Sequence, residues 1–194
     1  MNETIKNLAK AFIGESQARS RYTMYSKIAR KEGYEQIANL FLLTADNERE
    51  HAKWNFRMLN QVKKKLKLDV EEITVDAAAP IVLDDTIANL KAAIAGEHYE
   101  TETMYPEFAD VAEKEGFSKI AERLRAIGEA ESHHEERYKK LLAQVEGKTV
   151  FKKKEKVRWV CQQCGYVHEG EEPPDACPSC NHNSHYFEIL CETY

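Results

Sequence analysis

The chain has 194 residues, 42% of them apolar and 31% charged, with a formal net charge of -5. That balance suits one helix-rich domain of ordinary size plus a small appendage and excludes a natively disordered tail. No apolar run reaches the roughly 18 residues needed to span a bilayer, Met1 to Lys6 lacks a signal-peptide core, and no long basic stripe offers nucleic acid a footprint. The expectation is a cytoplasmic protein with neither membrane nor nucleic-acid partners.

Helical periodicity runs through residues 3–31, 35–65, 81–114 and 118–145. Gly33 and Gly116 can take the left-handed conformation that ends one helix and turns the chain into the next. Asp84 and Asp85 supply negative charge near the start of the third helix. Leu66 to Pro80 breaks the pattern and reads as a crossover long enough to run the length of a bundle. The predicted organisation is a helical bundle over 1–146, a linker over 147–157 holding the solvated cluster Lys152 to Lys154, and a small non-helical module over 158–194.

Within the bundle, one group of metal-capable residues occurs twice. Gly14-Glu15 is followed by Glu48-x-x-His51, and Gly96-Glu97 by Glu131-x-x-His134, the copies lying 82 to 83 residues apart. Spacing of i, i+3 puts each Glu and His on one helix face, where they can chelate one ion. Glu15, Glu48, His51, Glu97, Glu100, Glu131 and His134 all share faces with apolar residues, so they point into the core. Buried unpaired carboxylates are costly and must stay protonated or recruit cations, and two imidazoles favour a transition metal over calcium. A Glu from each of two helices plus Glu-x-x-His from each of the other two is the ligand pattern of di-iron and di-manganese carboxylate bundles.

Tyr22 and Tyr105 are also repeat mates, and periodicity leaves two readings open: hydrogen-bond partners of the ligands, or ordinary core aromatics. Glu32, Glu50, Glu115 and Glu136 fall on outer faces and are expected to be solvated. His98 and His133 point away from the ligand faces and are expected at the surface.

Four of the five cysteines form Cys161-x-x-Cys164 and Cys177-x-x-Cys180, a pair of metal knuckles. Gly165 and Asn181 follow them, residues that tolerate positive φ and let backbone N–H groups turn toward thiolates. Four thiolates suit zinc or a single iron, and spacing does not separate the two. Cys191 is left over and is expected to be incidental. His168, His182 and His185 lie nearby but are not needed as ligands.

The runs Gly14 to Arg19, Glu48 to Lys53, Gly96 to Glu100 and Cys164 to Gly170, taken together, resemble rubrerythrin over essentially the whole chain. The resemblance implies a ferritin-like di-iron four-helix bundle followed by a rubredoxin-like module whose four cysteines hold one iron. It further implies a non-haem peroxidase that reduces hydrogen peroxide to water and protects an anaerobe or microaerophile from oxidative stress. Electrons would come from an external donor, a rubredoxin or a reductase, and ultimately from NAD(P)H; a homodimer or higher oligomer is implied too.

By the same resemblance, Glu48 and Glu131 bridge the irons, Glu15 holds one, and Glu97 with His134 holds the other. Glu100 and His51 alternate on the first iron with redox state. Charge balance is consistent with that exchange: four carboxylates match two ferrous ions, whereas the ferric pair favours a fifth carboxylate and an oxo or hydroxo bridge. The competing expectations are a storage ferroxidase and a zinc-filled structural scaffold.

Overall fold

The computed structural model describes residues 2–193. Helix α1 (Glu3–Lys31) packs against α2 (Glu35–Lys65) as one hairpin. The second hairpin is α3 (Thr86–Tyr99), a π-turn over Glu100–Met104 and α4 (Tyr105–Lys114), all packed on α5 (Ser118–Glu146). A three-stranded antiparallel sheet of order β2-β1-β3 follows, with β1 Val157–Cys161, β2 Val167–Gly170 and β3 Phe187–Ile189. The chain is thus mainly helical, a ferritin-like bundle with a rubredoxin-like appendage.

Both hairpin turns close in the same way. Gly33 (φ 86°) and Gly116 (φ 78°) sit in the left-handed region. The N–H groups of Tyr34 and Phe117 reach back to the carbonyls of Ala29 and Ala112, both at 2.8 Å, the Schellman closure that satisfies helix-terminal carbonyls.

The third helical segment differs from the periodicity reading in two ways. It begins at Thr86 rather than residue 81, because the Asp85 carboxylate caps it by accepting from the Ala88 N–H at 2.7 Å. It is also interrupted by the π-turn, in which the Tyr105 N–H bonds the carbonyl of Glu100, five residues back. Pro106 follows at once and has no N–H to offer the carbonyl of Glu102, which favours the wider turn there.

Two outer-face carboxylates are engaged rather than simply solvated. Glu32 accepts from the Thr86 N–H at 3.0 Å, and Glu115 from the Thr4 N–H at 2.8 Å, so each caps a helix of the other hairpin.

The bundle core falls into two apolar clusters. Ile5, Leu8, Met58, Val62, Phe117 and Leu124 occupy one end, and Tyr25, Ile37, Phe41, Leu90, Tyr138 and Leu141 the other. The carboxylate centre lies between them. The small module has its own core of Trp159, Cys161, Cys177 and Phe187 and seats on the tip of the first hairpin. There Asn39 donates to Gln162 at 2.8 Å, and Phe151 stacks between Tyr34 and His185. No helix among the described residues is long and apolar enough to cross a membrane.

Candidate metal centre

Ligand atoms of Glu15, Glu48, His51 and Glu131 converge within 4.8 Å of one another, and so do those of Glu48, Glu97, Glu131 and His134. The two sets share Glu48 and Glu131, and each shared carboxylate divides its oxygens between the two imidazoles. Glu48 faces His51 with Oε2 at 3.0 Å and His134 with Oε1 at 3.2 Å; Glu131 faces His51 with Oε1 at 2.7 Å and His134 with Oε2 at 2.8 Å. A carboxylate split in this way can bridge two adjacent ions. All four helical segments contribute, because α1 and α3 present their glutamates inward while α2 and α5 present Glu-x-x-His on facing stripes.

The donors fit a pair of cations. Glu15, Glu48, Glu97 and Glu131 are fully buried; Oε2 of Glu15 has no hydrogen-bond partner among the described residues, and the oxygens of Glu131 are met only by the two imidazoles. Buried acceptors left this way are costly unless something positive meets them. Without ions, protons take that place. Burial, then the charges of Glu100, Glu131 and Glu48, pushes the Glu15 carboxyl well above the usual range. Burial does the same to Glu97, up to about 8.

Burial alone would lower the histidines. Hydrogen bonds to Glu131 and Glu48 overcome it and raise His51 to about 9, while Glu131, Glu48 and Glu97 raise His134 to about 12. Burial works to raise Glu48 too, but its bonds to His134 and His51 hold it at about 2.

Glu100 lies outside both sets. Its carboxylate borders Gly14 and lines a cavity together with Arg21. Burial and the charges of Glu97, Glu131 and Glu48 raise its pKa well above the usual range, opposed by Arg21.

Both tyrosines reach across the repeat. Tyr22 of α1 donates to Glu97 of α3 at 2.5 Å, and Tyr105 of α4 donates to Glu15 of α1. Both are also fully packed aromatics, so the two sequence readings coexist in the geometry. Beyond them lies a pair that residue-by-residue reading missed: Asn55 donates to the Tyr105 hydroxyl at 3.1 Å, and Tyr138 packs edge-on to Tyr22 at 5.5 Å. Asn55 and Tyr138 occupy equivalent repeat positions, the one signal that could have found them. His98 and His133 are exposed.

In the module, Cys161 and Cys180 Sγ lie 3.7 Å apart, and Cys164 and Cys177 Sγ 3.5 Å apart. A disulfide needs about 2 Å, whereas a tetrahedron with metal–sulfur bonds of about 2.3 Å has edges of about 3.8 Å. Gly165 (φ 76°) and Asn181 (φ 61°) take positive φ as the knuckles require. The Tyr166 N–H turns onto the Cys164 sulfur and is the first cause of its lowered pKa, about 6. Cys191 is exposed and apart from the cluster.

Comparison with known proteins agrees with both halves of the chain. A family model described as rubrerythrin matches residues 6–142, and one for the rubrerythrin rubredoxin-like domain matches 159–188. The chain is 63% identical to a putative rubrerythrin of Methanocaldococcus jannaschii, covering 100% of this chain and 96% of that one. It is 49% identical to a rubrerythrin of Clostridium perfringens, covering 99% and 96%. Among solved structures it resembles the fully reduced, all-ferrous state of nigerythrin, with TM-score 0.62 and 33% identity over 96% of this chain and 86% of that one. A Desulfovibrio desulfuricans bacterioferritin, 21% identical over 75% of this chain and 81% of that one with TM-score 0.65, shares the bundle fold. With a carboxylate–histidine set of di-iron type and a four-cysteine site of rubredoxin type in one polypeptide, the chain belongs to the rubrerythrin family.

Proposed function

We propose that the protein is a non-haem peroxidase that reduces hydrogen peroxide to water, with electrons entering through the four-cysteine site. The observation that carries this reading is the division of the Glu48 and Glu131 oxygens between two histidines, in a chain that also bears four clustered thiolates. Cleaving the O–O bond consumes two electrons and two protons and yields two waters. Two irons held by the carboxylates and histidines would supply that electron pair, and an iron held by Cys161, Cys164, Cys177 and Cys180 would return electrons one at a time.

The residues have distinct parts in this scheme. Glu15, Glu48, His51 and Glu131 would hold one iron and Glu48, Glu97, Glu131 and His134 the other, with Glu100 as the further carboxylate that could take the place of His51. Tyr22 and Tyr105 orient Glu97 and Glu15 by donating to one oxygen of each. Cys164 is the exposed member of its cluster and offers an external donor the nearest approach. Cysteine ligation suits redox iron as well as zinc, but a storage ferroxidase has no use for an attached electron carrier. Protection from peroxide is the role that follows, with electrons delivered by a rubredoxin or reductase fed by NAD(P)H.

The test is anaerobic, with fully reduced iron-loaded protein mixed separately with hydrogen peroxide and with oxygen. Faster oxidation by peroxide is expected. Oxygen winning clearly would favour the ferroxidase, and protein colourless in air would mean zinc in the cysteine site.

A further inference from the structure

Beside the carboxylate centre is a cavity of about 200 Å³ between α1, the π-turn and the crossover. That is far above the 10–15 Å³ or so that admits one water. Gly14 and Gly96, the residues preceding Glu15 and Glu97, form its floor. A Cβ on Gly14 would lie 4.0 Å from Glu100 Oε1, and one on Gly96 would lie 3.9 Å from Arg21 Nη2. Two glycines at equivalent positions therefore leave open the space between these charged groups and the centre. Ala77 and Ala78 of the crossover cover the other side, where Gln17 donates to the Ala78 carbonyl at 2.8 Å.

Arg21 sets its guanidinium over the Tyr22 ring, Cζ 5.8 Å from the centroid, a contact that leaves its N–H donors unaccounted for. It is only 9% exposed, yet its Nε and Nη1 have no hydrogen-bond partner among the described residues. No ion pair joins it to Glu100, though both line the same space. A buried guanidinium with free donors is costly unless a ligand meets them. Across the cavity Glu100 is an acceptor. A small molecule that both accepts and donates, with two oxygens to share, satisfies both sides at once.

We infer that Arg21 and Glu100 form an outer holding site for hydrogen peroxide, Arg21 donating to one oxygen and Glu100 accepting from an O–H. This rests on the peroxidase reading and adds to it a binding residue that is no candidate metal ligand. Retention beside the centre raises the local peroxide concentration without changing the chemistry, so it acts on KM rather than kcat.

Peroxide turnover of the iron-loaded Arg21→Leu protein is expected to show KM raised about tenfold or more with kcat little changed, and Arg21→Lys is expected to recover part of the loss. Ala78→Trp, on the exposed crossover, should raise KM by narrowing the same space. Crystals of anaerobically reduced holoprotein soaked in azide, an unreactive small anion, should show it within hydrogen-bond distance of Arg21. Wild-type KM in Arg21→Leu and Ala78→Trp, or azide absent from the cavity, overturns the inference while leaving the peroxidase reading intact. If wild-type protein turns over no peroxide, the peroxidase reading fails by itself. If Arg21→Leu does not fold, Ala78→Trp and the azide soak decide.

Discussion

Glu115, near the end of the second hairpin's first arm, accepts from both the N–H and the hydroxyl of Thr4, at 2.8 and 2.5 Å, across 111 residues. Its repeat mate Glu32 accepts from the N–H of Thr86, the repeat mate of Thr4, at 3.0 Å. Each hairpin thus caps the other. Glu115→Ala is expected to destabilise the protein by about 1 kcal/mol, the usual worth of an N-cap, and Glu32→Ala by less, since one bond is lost instead of several. Urea unfolding should shift in midpoint with unchanged slope. Burial opposes ionisation of Glu115, but the bonds from Thr4 and Glu3 outweigh it and lower its pKa. Its contribution is therefore present above the ordinary carboxylate range and lost as pH falls.

Removing the tyrosine hydroxyls should weaken metal retention. Tyr22→Phe strips Glu97 of its hydroxyl donor, and Tyr105→Phe strips Glu15 and also orphans Asn55. Loss of such an orienting partner weakens metal affinity roughly 10- to 100-fold. Competition with a chelator, read by iron content, should show both variants weaker and Tyr105→Phe the weaker of the two.

The metal-free protein should lose stability as pH rises. Folding raises Glu97 from 4.5 to about 8 and His51 from 6.5 to about 9. Groups with raised pKa stabilise when protonated, fully below the unfolded value, and lose that contribution as pH passes the folded value. Glu48, held at about 2, acts oppositely and only in acid. The melting temperature of metal-free protein is expected to fall between about pH 5 and about pH 9, while loaded protein, its protons displaced, changes much less. A flat metal-free profile would contradict the arrangement of charges described here.

Gly33→Ala and Gly116→Ala form a matched pair. Both force alanine into the left-handed region, at about 1–2 kcal/mol. Only at Gly33 would the new Cβ meet another group, 2.5 Å from His185 Nδ1; at Gly116 nothing lies within 4 Å. Gly33→Ala should therefore also displace His185 from its stack on Phe151 and loosen the module. Limited proteolysis in the linker over 147–157 should accelerate in Gly33→Ala and not in Gly116→Ala.

The helical segments, the duplicated Glu-x-x-His and the cysteine knuckles were legible in the chain because each is a local spacing, and a helix or a knuckle converts local spacing directly into shared direction. The π-turn left only a trace. Glu15 and Glu97 are 82 apart while Tyr22 and Tyr105 are 83 apart, and the extra residue is absorbed at Glu100–Met104 just before Pro106. Periodicity over 81–114 cannot show this, since one wider turn barely disturbs the apolar pattern.

Tertiary structure alone decided that each tyrosine serves the other repeat's glutamate, that Glu32 and Glu115 cap distant helices, and that Arg21 borders a cavity with Glu100 outside both ligand sets. These relations depend on how far one helix slides and rotates against another. The packed core sets that, through contacts between residues tens of positions apart that no local spacing encodes.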